Sequence, residues 1–217
     1  MEQEGVIKYS LDFQKHKINV QINTLEKINS CRTTMINHGL LGQVEGRYDG
    51  YGFGNISIRS SEVGSLFLVT GSQTGHEQIL SGAHLSRITH IDIERNALTA
   101  QGEIEPSSES MTHGVLYQQS EQIKAVVHVH APDIWHCADA LNLASTAEDI
   151  PYGTPEMALA VQQLSSRLMQ SEKTWPILFV MKGHEDGVIA AGASLEQCTK
   201  ALLDTLALSK KIAETSS

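Results

Sequence analysis

The sequence predicts an α/β fold: a sheet with helices on both faces and antiparallel hairpins in its first half. Two patterns say so. Strand-like and amphipathic segments interleave along the whole chain, and helix patterns fall before, between and after the strands. The strand-like runs at 55–59 and 65–70 lie close enough to pair as a hairpin, which an all-parallel sheet does not allow. No repeat, low-complexity block or Pro/Ser-rich linker divides the chain, and it has only five prolines, so residues 1–217 read as a single domain. A chain of this length buries about 70% of the surface its unfolded form exposes.

In order, residues 1–20 alternate loosely and end in Lys17-Ile18-Asn19-Val20, an expected edge strand. Thr24 is the expected cap of a helix to about Asn37, with Leu25, Ile28, Cys31 and Met35 on its apolar face and a stop at His38-Gly39. A Gly-rich loop (42–54) leads to the strand Asn55–Arg59, and a second strand (65–70) runs into Gly71-Ser72-Gln73-Thr74-Gly75. Thr89–Ile93 and Asn96–Thr99 are further short strands. Pro106-Ser107-Ser108-Glu109 opens a helix with a Ser cap and Glu109 in the first turn, where a carboxylate suits the macrodipole. Lys124–His130 is a strand. Thr154-Pro155-Glu156 starts a helix whose buried stripe is Met157, Val161, Leu164 and Leu168. Pro176–Met181 is an apolar strand, and Ser194 with Gln197 forms a capping box for the last helix, where Leu195, Cys198, Leu202 and Leu206 share a face.

Composition excludes several functions. A formal net charge of −9 with 16 Lys and Arg, and no basic run, makes nucleic acid a poor partner. No apolar stretch approaches the roughly 18 residues of a membrane span. The acidic start Met1-Glu2-Gln3-Glu4-Gly5 has no apolar segment behind it, which speaks against a secretory leader. Cys31, Cys137 and Cys198 are odd in number and widely spaced, as suits reduced thiols in a cytoplasm.

The chemistry centres on Ala125-Val126-Val127-His128-Val129-His130-Ala131. Side chains alternate along a strand, so His128 and His130 share a face roughly 6 to 7 Å apart along the backbone and can converge on one metal ion. The alternative is a pair of core histidines satisfied by carbonyls. His184 follows the apolar strand in Lys182-Gly183-His184-Glu185-Asp186-Gly187, with glycines on both sides that permit close backbone approach. It is either a solvated turn residue or a third neutral ligand, which leaves a coordination position open as in catalytic zinc sites. Glu109 is either a helix-dipole partner or a base that removes a proton beside a metal-bound carbonyl. His113, one turn later on the same face, is a candidate hydrogen-bond partner for it, a support behind the metal site, or a simple helix pair. Gly54-Asn55, Ser72 or Thr74 with Gly75, and Ser107-Ser108 each offer amides or hydroxyls of the kind a phosphate needs, although such residues also fill ordinary turns.

Taken in order, Gly54-Asn55-Ile56-Ser57, Thr74-Gly75, Pro106-Ser107-Ser108-Glu109 with His113, His128-Val129-His130, Pro151-Tyr152-Gly153-Thr154 and His184 before Gly187 closely resemble the class II aldolase/adducin family over roughly residues 25–210. The resemblance includes members like L-fuculose-phosphate aldolase and L-ribulose-5-phosphate 4-epimerase. It implies a three-layer α/β/α domain with a central, mainly antiparallel sheet, and a homotetramer with sites near subunit interfaces. It implies that His128, His130 and His184 hold a divalent metal, usually zinc, and that Glu109 is the acid/base or a further ligand in the resting site. It also implies that Gly54, Asn55, Thr74, Gly75, Ser107 and Ser108 bind substrate phosphate. The activity it implies is that of a lyase cleaving or forming a C–C bond in a small hydroxy-carbonyl compound through an enediolate. Epimerisation or dehydration are the related chemistries, and a non-catalytic adducin-like interaction module is the alternative of a different class. Retention of the three histidines and Glu109 favours the enzyme.

Three features depart from that pattern. Between His130 and Pro151 only 20 residues intervene, fewer than in the sugar-phosphate aldolases, so a lobe shaping the substrate pocket is expected to be trimmed. His184 precedes Glu185-Asp186-Gly187 where the family usually has Gly directly, which enlarges its loop. The sequence stops at Ser217 without the tail that in the aldolases carries a tyrosine to a neighbour's site.

Overall fold

A computed structural model describes residues 6–64, 66–170 and 175–215, so the N-terminal Met1–Gly5 segment, Ser65 of the second predicted strand and the terminal Ser217 lie outside the described residues. The strands are β1 (Ser10–Lys15), β2 (Gly42–Gln43), β3 (Gly52–Phe53), β4 (Asn55–Arg59), β5 (Phe67–Thr70), β6 (Leu85–Asp92), β7 (Ala97–Gly102), β8 (Ala125–His130), β9 (Ala144–Ser145), β10 (Ile177–Val180) and β11 (Gly187–Gly192). The helices are α1 (Ile22–Asn37), α2 (Ser110–Gln119), α3 (Pro132–His136), α4 (Pro155–Gln170) and α5 (Leu195–Thr215). Nine strands form one sheet in the order β1-β7-β6-β5-β4-β8-β11-β10-β9, and β2 pairs with β3 beside it. All its pairings are antiparallel except β1 with β7 and β9 with β10 at the two edges.

Alternation along β8 divides the core. Ala125, Val127 and Val129 join Ile56, Leu68, Val188 and Ala190 under α1, α3 and α5, where Ile28, Met35, Ile134, Cys198 and Leu202 cover them. Val126 faces the other side with Val69, Ile189, Phe179 and Ala191, beneath Met111 and Val115 of α2 and Met157 and Val161 of α4. The result is the predicted three-layer arrangement. His128 and His130, in step with Val126, therefore open toward the α2/α4 side.

Several boundaries differ from the sequence reading. The first edge strand is Ser10–Lys15, not Lys17–Val20, because Leu11 and Phe13 pack on the α2/α4 side while Ile18 crosses to the opposite core. Helix α1 starts at Ile22 behind Gln21, so Thr24 lies inside it and caps nothing. Its buried face holds Arg32 beside Ile28, Cys31 and Met35. It ends as expected at His38, followed by Gly39 at φ +68°. Strand β11 had no counterpart in the sequence reading. The short α3, β2, β3 and β9 were likewise not expected. Helix α2 has Glu109 at its cap position and no side-chain cap, where a Ser was expected. Thr154 Oγ1 accepts from Met157 N–H at 3.2 Å and Ser194 Oγ from Gln197 N–H at 3.2 Å, while Gln197 Oε1 accepts from Ala193 N–H at 2.9 Å and not from Ser194. Among the described residues no helix is long and apolar enough to cross a membrane.

Candidate active site

Strand β8 runs through the interior of the sheet, with His128 opposite Asn55 of β4 on one side and Ile189 of β11 on the other. Its neighbour Gly187 pairs with His130 and ends the turn that carries His184. That turn is closed by His184 N–H donating to Met181 carbonyl at 3.1 Å and Gly187 N–H to His184 carbonyl at 2.9 Å. Gly183 is required here, since a Cβ at that position would lie 1.7 Å from the Ile150 carbonyl oxygen.

The fold thus brings the three histidines together. One nitrogen from each of His128, His130 and His184 lies within 4.8 Å of the others, and all three residues are buried. The ring centroids are 4.8 to 5.2 Å apart. Burial first, then the neighbouring imidazole of His184, holds His128 and His130 well below the usual histidine range, so both are neutral. The His128 ring lies near the Val188 backbone but meets hydrogen-bond geometry with nothing among the described residues. Converging, buried imidazoles, two of them held neutral, are what a divalent cation needs and what a core histidine pair avoids. The donor set fits a metal ion.

Glu109 is buried, and its Oε1 lies 3.7 Å from His184 Nδ1. It stands one residue ahead of α2, at the cap position, and not in the first turn. The approach loop is pinned by Ser107 N–H to Thr70 carbonyl at 3.2 Å and by Tyr9 hydroxyl to Ser107 carbonyl at 2.8 Å. His113 does not support Glu109 through its ring: Nδ1 lies 2.7 Å from Ser57 Oγ, which also meets Tyr117 hydroxyl at 2.8 Å. Burial lowers its pKa to about 3. Its place is under the sheet face beside Val126, because Ser57 and Val126 are register partners.

Gly54, Asn55, Thr74, Gly75, Ser107 and Ser108, from three separated segments, line one small hollow together with Gly52, Gly71, Ser72 and Gln73. Two glycines let the strands approach there. A Cβ on Gly75 would lie 2.5 Å from Gly42 carbonyl oxygen, and Gly54 holds φ +74°. Arg32, absent from the sequence reading, fixes this wall: its Nη2 donates to the carbonyls of Thr74 at 2.8 Å, Gly75 at 3.1 Å and Glu77 at 2.6 Å. A cation at the i+4 position from Ile28 on an apolar stripe was the available signal. A second cavity of about 680 Å³ opens beside His184, lined in part by Arg47, Tyr48, Trp135, Tyr152, Lys182 and Asp186. Tyr152 stacks on the His184 ring at 4.4 Å between centroids.

Residues 44–207 match the family model of the class II aldolase and adducin N-terminal domain. A 3-oxo-tetronate 4-phosphate decarboxylase of Haemophilus influenzae is 27% identical over 160 residues, covering 66% of this chain and 69% of that protein. Among solved structures, a sugar-phosphate aldolase from Thermotoga maritima superposes with a TM-score of 0.63 at 15% identity, over 90% of this chain and 97% of that one. The L-fuculose-1-phosphate aldolase of Thermus thermophilus gives 0.59 at 17% identity, over 88% and 93%. At these identities the superpositions speak for the fold, while the family match spans most of the chain: this protein belongs to the class II aldolase and adducin N-terminal domain family.

Proposed function

We propose that this chain is a metal-dependent lyase of the aldolase type, acting on a small phosphorylated hydroxy-carbonyl compound through an enediolate. The carrying observation is the pairing of three converging buried imidazoles with the Glu109 carboxyl, its Oε1 3.7 Å from His184 Nδ1. His128, His130 and His184 would hold the divalent cation, zinc by its preference for neutral nitrogen ligands. When bound, that cation supplies the positive charge that stabilises an enediolate.

The remaining work falls to the protein. Gly54, Asn55, Thr74, Gly75, Ser107 and Ser108 bind the phosphate and orient the chain of the substrate toward the histidines. Buried Glu109 takes the proton from the substrate carbon next to the carbonyl in the condensing direction and returns it after cleavage. Its burial keeps water from that carbon. The shared enediolate supports a second reading, favoured by the decarboxylase relative: loss of carbon dioxide from a 3-oxo acid phosphate leaves the same enediolate, and Glu109 then delivers the proton to carbon. The reading includes a homotetramer in the cytoplasm, on the family resemblance and the free thiols.

The test is solvent deuterium exchange at the C3 hydroxymethyl carbon of dihydroxyacetone phosphate, followed by proton NMR, with dihydroxyacetone as the unphosphorylated comparison. Exchange in the phosphate ester that far exceeds exchange in the free ketone supports the reading. Exchange in neither, together with no decarboxylation of a 3-oxo acid phosphate, rules it out.

A further inference from the structure

Two left-handed residues meet beside the histidine cluster. Tyr48, at φ +49°, sits in the turn that precedes β3, and Asp186, at φ +62°, sits two residues after His184. Both are strained for residues with a side chain, a condition that recurs where local geometry serves a site. Tyr48 hydroxyl donates to Asp186 Oδ2 at 2.5 Å and accepts from Arg47 Nη2 at 2.9 Å. The same Nη2 donates to His130 carbonyl at 3.2 Å, and the Tyr48 ring packs edge-on against the His130 ring at 4.6 Å. From the other side, Asp186 carbonyl accepts from Ala131 N–H at 2.8 Å. One phenol therefore ties the turn bearing His184 to the strand end bearing His130.

We propose that Tyr48 and Asp186 form a latch that positions His184 against the strand pair and so sets how tightly the three imidazoles hold a divalent cation. The latch rests on the reading that these histidines bind metal. It uses one of the two residues that enlarge the loop after His184, and it explains why Asp186 keeps a strained backbone beside a glycine. Tyr48 and Asp186 are positioning residues; neither is placed on the substrate.

The test uses Co²⁺ as probe on the metal-stripped full chain, read by dissociation constant and by the visible ligand-field absorption. Tyr48→Phe is expected to weaken Co²⁺ binding roughly 10- to 100-fold and to shift the absorption, as loss of a support behind a ligand does. Asp186→Gly relieves the left-handed strain, so it is expected to leave the metal-free protein at least as heat-stable while weakening Co²⁺ equally. Asp186 also pairs with Arg47 at 3.9 Å, so the double variant should bind no worse than Asp186→Gly alone, because Tyr48→Phe then has no further bond to remove. Wild-type affinity and spectrum in Tyr48→Phe, or fully additive losses, would overturn the latch. Wild-type protein that takes up no Co²⁺ would overturn the metal reading with it.

Discussion

Glu109 Oε1 and His184 Nδ1 stand 3.7 Å apart, both buried, one arriving on the loop ahead of α2 and the other on the turn between β10 and β11. That meeting joins the proposed proton carrier to one of the proposed metal ligands. Glu109→Gln keeps the shape and removes the base. It is expected to retain bound metal while exchange on dihydroxyacetone phosphate falls by roughly 10²- to 10⁴-fold, the usual worth of a positioned acid or base. Unchanged exchange in this variant would remove Glu109 from the chemistry.

Arg32 holds the wall of the hollow proposed to take the phosphate through three backbone carbonyls. Arg32→Met fills the space but leaves those carbonyls without their donor, at about 1 to 3 kcal/mol of stability. KM for a phosphorylated ketone should rise roughly tenfold, equivalent to about 1.4 kcal/mol, with little change for its unphosphorylated counterpart. Equal effects on both substrates would show that the loop does not read phosphate.

His113 makes stability depend on pH. Burial lowers its pKa to about 3, against about 6.5 in the unfolded chain. The depressed value means that the unfolded chain binds a proton the native protein refuses. Stability is full above pH 6.5 and is lost as pH falls from there toward 3. Between about pH 7 and pH 5 this one residue accounts for about 2 kcal/mol. Urea unfolding of metal-free His113→Asn should show a loss over that interval smaller than wild type by about that amount. Identical losses in the two proteins would place the acid sensitivity elsewhere.

The site was legible in sequence wherever chemistry and periodicity coincide. Two histidines two apart on a valine strand must share a face, and glycine at 183 does admit the Ile150 carbonyl that presses on the His184 turn. Gly54, Asn55, Thr74, Gly75, Ser107 and Ser108, expected to act together, do line one hollow. What stayed hidden depends on contacts between distant segments. Strand β11, Gly187-Val188-Ile189-Ala190-Ala191-Gly192, is buried on both faces and so has no alternation to read. His113 looked like a partner for Glu109 because one helical turn separates them, but Ser57 from β4 occupies its ring nitrogen. Arg32 and the Tyr48–Asp186 bond likewise appear only when loops far apart in sequence are folded together.

Metal analysis of the purified protein tests most directly whether His128, His130 and His184 hold a divalent cation. Near-stoichiometric zinc or another divalent ion in wild-type protein, lost in folded His128→Ala, is the predicted result. Folded wild-type protein that carries no metal and takes up none on addition of zinc would contradict it.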